Sequence, residues 1–255
     1  MGVTFSSVPE AYGTVHLLIL AGTALLSSGV FFAIRRLEEK RLLRLLMILG
    51  ACMIAAEVFK QWFVARYVYK GAFSTWFFPW ELCSMAMYCS FLVKFLKGRA
   101  QDTVLVFLAT FSLIGAIFAL FFPGDMLRPQ IVLFCHSFLY HAVMVIESIA
   151  AVLVLKKRAK APFWPSIILF VCMAAVAQIV NIVSHLLIED RRLAANMFNI
   201  TPYYPSTQPV FHEIALKIGI IPEIFVFLGS IVLGSFIIYI VMYAVIGRRR
   251  RKNEA

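Results

Sequence analysis

Seven stretches of this chain, at approximately 15–34, 42–63, 79–97, 102–122, 131–155, 163–188 and 219–246, are apolar over the roughly 20 residues a helix needs to cross a bilayer. In hydrocarbon each backbone N–H and C=O must find its partner within the protein, and stretches of this length meet that demand as helices. The composition agrees: 62% of residues are hydrophobic and 15% charged, against the roughly 45–50% apolar share of a soluble domain. The expected fold is all-α, a polytopic membrane protein of seven transmembrane helices forming a single domain over 1–255, with no internal repeat and no low-complexity linker.

Basic residues set the orientation. Arg35, Arg36, Lys40, Arg41 and Arg44, then Lys94, Lys97 and Arg99, then Lys156, Lys157, Arg158 and Lys160 fall in alternate connections, and the tail RRRRK joins the same side. The positive-inside rule puts that side in the cytoplasm, the C-terminus with it and the N-terminus outside. The net charge of +11 is therefore a topology signal, and no nucleic-acid partner is expected. The opening MGVTFSSVPEAYGTVH has no basic region before a long apolar stretch, so the first span is expected to stay as a helix rather than be cleaved. Localisation follows as an integral membrane protein, expected in a bacterial plasma membrane.

All five cysteines, Cys52, Cys83, Cys89, Cys135 and Cys172, fall within the spans and none forms a CxxC pair, so neither a disulfide framework nor a metal site is indicated. No phosphate-binding loop, GxSxG elbow or HExxH helix occurs, and no cofactor is expected. The one long connection, 188–219, lies on the outer side and is a candidate lid, with Pro202, Pro205 and Pro209 expected to break any helix in it.

Polar side chains within the spans concentrate in the outer half. The second span carries Glu57, Lys60 and Gln61, the third Glu81 and Cys83, the fifth His136 and His141, and the sixth Gln178, Asn181 and His185. Helical spacing puts Glu57, Lys60 and Gln61 on one stripe and Gln178, Asn181 and His185 on another. Polar groups at membrane depth are costly and face a bundle interior, so a polar cleft among spans two, three, five and six is expected, open outward. Glu147, near the inner interface, lies apart from it. Each residue has a plainer reading. Glu57 and Lys60 neutralise each other, a lone histidine packs, and a lone cysteine behaves as a small hydrophobe. Together, a thiol, two histidines and carboxylates at similar depth have the makings of an activated nucleophile: a thiol, a base and a group to orient the base. His136 matches Cys83 in depth, while His141 lies a turn deeper. The two histidines are about 140° apart around the helix, so only one is expected to point squarely into the cleft.

Four stretches carry a resemblance. FPWELC around Cys83, SLIGAIFALFFPGD over 112–125, FCHSFLYHAVMV over 134–145 and NMFNITPYYP over 196–205 resemble motifs of the YwaF-like integral membrane family, whose vertebrate member is transmembrane protein 164. Met197 departs from it, standing where the family usually has tyrosine. The resemblance implies a seven-helix fold and a cysteine-dependent acyltransferase acting on phospholipids, with the family's cysteine at Cys83 and its histidine at His141. On that implication Cys83, deprotonated by His141, with His136 as second choice, attacks an ester of an outer-leaflet phospholipid, and a lysophospholipid resolves the thioester; attack by water instead makes the protein a lipid hydrolase. Glu81 or Asn181 orients the imidazole, Lys60 meets a lipid phosphate, and Glu57, His136 and His185 support the site. A small-solute transporter or a seven-helix receptor using the same cleft for binding is the alternative. Paired repeats with broken helices, the usual transporter signature, are not seen, and no lysine sits midway along the last span to hold a retinal.

Overall fold

A computed structural model describes residues 4–71, 74–188, 190 and 193–254, the last seven of these as backbone alone. Glu189, Arg191 and Arg192 of the long connection, and the side chains of the basic tail, lie outside the described residues.

The described residues are all-α, with no strand and a single isolated bridge between Thr4 and Gln130. In chain order the helices are α1 (Thr14–Ile34), α2 (Glu39–Phe63), α3 (Ser84–Leu92), α4 (Gly98–Phe107), α5 (Leu113–Phe121), α6 (Ile131–Leu155), α7 (Trp164–Leu187), α8 (Pro209–Ile218) and α9 (Ile220–Glu254). A π-helical turn, Val64–Val68, extends α2, and another, Leu108–Ser112, joins α4 to α5. Six of the resulting helices are long and apolar enough to cross a membrane: Thr14–Ile34, Glu39–Val68, Gly98–Phe121, Ile131–Leu155, Trp164–Leu187 and Ile220–Gly247. The large apolar side chains they leave exposed, such as Leu18 and Leu25 on α1 and Phe225 and Leu233 on α9, suit contact with lipid. This is an integral membrane protein.

The stretch expected as a helix over 79–97 is helical only over the nine residues of α3, too short to span alone at about 1.5 Å per residue. Residues 74–83 before it are irregular. Irregular backbone is tolerated at membrane depth where the protein itself supplies partners, and here it does. The amides of Thr75 and Trp76 donate to Leu193 O at 2.9 and 3.1 Å. Gln61 Nε2 donates to Phe77 O at 2.5 Å and the Tyr88 hydroxyl to Pro79 O at 3.0 Å. Pro79 favours an extended conformation in Phe78 and so works against a helix there.

In the long connection the expected absence of helix is corrected by α8. Pro209 opens that helix within its first turn, where its missing N–H costs nothing and its fixed φ suits the helix. Gly219, at φ 92°, ends α8 and lets the chain turn directly into α9; a left-handed φ there is readily adopted only by glycine.

α6 is the central helix, packed against α1, α2, α4 and α5. Phe107, Phe111, Phe163 and Phe170 form an aromatic column with centroids 4.9–5.7 Å apart. It continues at 6.0 Å to Phe198 in the long connection. At the end of the bundle that carries the basic loops, Arg158 bonds Glu39, Asp102 and Gln101 and so ties α2, α4 and the connection after α6 together. Burial would lower the Arg158 pKa, but the two carboxylates outweigh it and hold it above the usual arginine value. Glu147 is wholly buried in the middle of α6, away from the cavity described next.

Candidate functional site

The end of α2, the start of α3, the end of α5, the first half of α6, the long connection and the start of α9 converge at the end of the bundle opposite the basic loops. They line a partly open cavity of about 470 Å³, within the range of small-molecule sites. Glu57, Lys60, Glu81, Cys83, His136 and His141 all line it. The expectation that only one histidine could face the cleft is corrected. The cavity takes a broad arc of α6, from Leu133 through Ser137 to Tyr140 and His141, with His136 at its edge.

Cys83 is the N-cap residue of α3, which sets its sulfur at the positive end of that helix dipole. The short α3 therefore does more than a spanning helix could: it starts inside the bundle and delivers its N-terminus to the cavity wall. His141 Nδ1 lies 2.7 Å from Ser137 O. A carbonyl only accepts, so Nδ1 carries the proton and Nε2 has the lone pair. That Nε2 is buried with no hydrogen-bond partner among the described residues. The imidazole is thus oriented by its own helix, one turn back, and not by Glu81 or Asn181 as expected. His16, by contrast, is a satisfied structural histidine, accepting from Tyr12 N at 2.9 Å and bonding Leu120 O at 2.9 Å.

Glu57 takes the ammonium of Lys60 at 2.7 Å and the amide of Gln61 at 2.7 Å on one oxygen, with His136 Nε2 4.0 Å from the other. The plainer reading of Glu57 and Lys60 as a neutralising pair thus describes their contact, although both remain on the cavity wall. Lys60 and Arg128 also approach the ring of Phe77, at 5.8 and 5.4 Å.

Glu81 has a different task from the one expected. Its carboxylate accepts the Phe198 N–H at 2.9 Å, and Phe198 and Asn199 both hold a left-handed φ, 59° and 56°. Conformations of this kind persist in non-glycine residues only where the surroundings enforce them. Asn181 is the other brace, accepting Met197 N at 2.6 Å and donating to Met197 O at 3.0 Å. Gln178, Asn181 and His185 do not line the cavity, contrary to expectation. The polar edge of α7 instead serves the long connection: Ser184 accepts the Ala195 N–H at 2.7 Å, and His185 stacks on Tyr203 at 4.3 Å. The reason is that a buried connection brings its own unpaired backbone groups, and α7 is the helix that satisfies them.

Asn181→Leu should therefore lower stability through the two Met197 backbone groups it strands in a buried site, by about 2–6 kcal/mol at about 1–3 kcal/mol per unsatisfied group. Thermal unfolding of the purified protein in detergent measures this; an unchanged midpoint would contradict the bracing role.

Sequence reasoning missed Tyr140, Asp125, Arg128, Asn196 and Asn199 on the cavity wall. Asn196 and Asn199 flank the strained turn. Tyr140, four residues after His136, shares its helical face, but nothing in spacing sets it apart among 24 Phe and 9 Tyr.

The chain matches the model of the TMEM164 family over residues 11–247. No curated protein and no solved structure matches it.

Proposed function

The chain belongs to the TMEM164 family, and on that premise we propose that it is a membrane-embedded acyltransferase, moving an acyl chain between phospholipid and lysophospholipid through a thioester on Cys83. One observation carries the reading: Cys83 and His141, whose Nε2 has no partner among the described residues, line the same cavity. Sulfur is a better nucleophile than a hydroxyl oxygen once a base has taken its proton, and His141 is the base available on that wall.

The cavity has the two-sided character a lipid ester needs. Ile114, Phe118 and Phe122 on one side and Phe227 and Ile231 on the other make an apolar slot between α5 and α9, while Lys60, Asp125 and Arg128 supply charge. The acyl chain lies in the slot and the phosphate near Lys60 and Arg128. His141 takes the thiol proton, the thiolate attacks the ester carbonyl, and the leaving lysophospholipid alcohol takes that proton back. A second lysophospholipid hydroxyl then reverses the steps. His136 and Glu57 keep the wall polar around the reacting groups, and residues 196–211 close the cavity from the outer side as a lid.

The irregular stretch with α3 makes a seventh crossing, so that the loops rich in lysine and arginine all face the cytoplasm and the cavity opens to the outer leaflet. That orientation matches the alternation of basic connections along the chain.

Incubating the purified protein with phosphatidylcholine vesicles and measuring intact and peptide masses tests the reading. An acyl adduct on Cys83, released by hydroxylamine and missing in Cys83→Ala, is expected. No adduct under conditions of lipid turnover would overturn it.

A further inference from the structure

A thioester mechanism needs a donor for the oxygen that gains charge when the carbonyl is attacked, and neither Lys60 nor His141 is free to supply it. Lys60 is bonded to Glu57, and His141 is engaged as the base. On the same cavity wall stands Tyr140, itself 7% exposed, whose hydroxyl is buried with no hydrogen-bond partner among the described residues. Buried hydroxyls without a partner are rare and call for an explanation. The chain fills comparable positions with phenylalanine throughout its core, so the hydroxyl is not needed for packing.

The ring is held firmly. It stacks on His136 with centroids 5.5 Å apart at 27°, and meets His141 edge-on at 6.0 Å. It thus stands beside the base in the wall that also carries Cys83, with its donor free. The hydroxyl is buried away from water, where a fixed neutral donor is worth far more than in bulk solvent.

We infer that the Tyr140 hydroxyl is the oxyanion donor of the acyl transfer, a catalytic role that rests on the Cys83 and His141 reading above. As the Sγ–C bond forms, the carbonyl π pair moves to oxygen, and the Tyr140 O–H donates a hydrogen bond to that oxygen without giving up its proton. The thiol proton is on His141 Nε2 at this stage. Collapse restores the C=O bond, breaks the ester C–O bond, and passes the proton from His141 to the departing lysophospholipid oxygen. Deacylation by a lysophospholipid hydroxyl runs through the same oxyanion and uses the same donor.

The test is the rate of Cys83 acylation by phosphatidylcholine vesicles, followed by intact mass, in the wild-type protein, in Tyr140→Phe, and in protein carrying 3,5-difluorotyrosine at 140. Loss of one oxyanion donor lowers turnover about 10²–10³-fold, so Tyr140→Phe is expected to acylate at least about 100-fold more slowly, with the vesicle concentration for half-maximal rate unchanged. Difluorotyrosine keeps ring and hydroxyl and is expected to retain most of the rate. It also keeps the inference falsifiable if the phenylalanine variant is poorly folded, since a fluorinated residue that acylates as slowly as Tyr140→Phe overturns it. Acylation of Tyr140→Phe within about threefold of wild type overturns the donor role alone, leaving the nucleophile and base in place. Wild-type protein that never acylates on Cys83 overturns both.

Discussion

Cys83→Ser is expected to lower acyl exchange between phosphatidylcholine and lysophosphatidylcholine by at least about 10³-fold while leaving the fold intact. The substitution replaces one atom at a residue of helical φ and ψ that makes no side-chain cap hydrogen bond, so stability should hold. Chemistry should not survive. A hydroxyl is far less ionised than a thiol and would depend entirely on His141 to become a nucleophile. His141→Ala should produce a comparable loss, because its Nε2, unprotonated while Nδ1 donates to Ser137 O, is the free acceptor in the cavity wall. The double variant should be little worse than either single one, since residues that act as one unit are not additive. His136→Ala should be mild, its contact with a Glu57 oxygen being a long one at 4.0 Å. A small-solute transporter or receptor would use the cavity for binding and would tolerate a serine at 83. Exchange that is unchanged in Cys83→Ser in purified, lipid-reconstituted protein would therefore rule out the enzyme reading and favour a binding site.

Gly50→Leu should be among the most damaging substitutions in the chain, though it lies well away from Cys83 in sequence. Gly50 sits on α2 where α3 crosses it, and a methyl group there would collide with the backbone nitrogen of Phe91, lie 2.8 Å from Met87 O and 2.9 Å from Phe91 Cα. Every one of these atoms is backbone, so no side-chain rotation relieves the clash, and the two helices must separate. Small residues at membrane helix crossings serve this close approach. Overpacking a core costs about 1–3 kcal/mol when side chains can yield, and here the loss should exceed about 3 kcal/mol. The consequence reaches the cavity, because α3 carries Cys83 at its start and α2 carries Glu57 and Lys60. Gly22→Ala is the control, since nothing lies within 4 Å of a methyl at that position on α1. It should leave the unfolding midpoint in detergent unchanged or slightly higher. Equal midpoints for Gly50→Leu and wild type would show that the α2–α3 crossing is looser than described.

The sequence by itself determined that the chain is built of helices and lives in a membrane, because apolar length is a one-dimensional property and hydrocarbon leaves the backbone few alternatives. It also brought Cys83, His136, His141, Glu57, Glu81 and Lys60 under suspicion, since polar groups at membrane depth are conspicuous in an otherwise apolar run. What each of them does was decided only by the tertiary structure. Depth and helical spacing could not say that α3 begins at Ser84, because its irregular approach is stabilised by Leu193, Gln61 and Tyr88, partners distributed along the chain. Asn181 looks like a site residue in one dimension, yet it is spent on the backbone of the long connection, and Glu81, though on the cavity wall, also holds that backbone, whose needs exist only once it is folded into the bundle. Conversely Tyr140 looks like one aromatic among many, and becomes a candidate only when its hydroxyl is found without a partner on a cavity wall. A polar side chain announces itself in sequence, but whether it serves the backbone or faces the cavity depends on which donors and acceptors the fold leaves over.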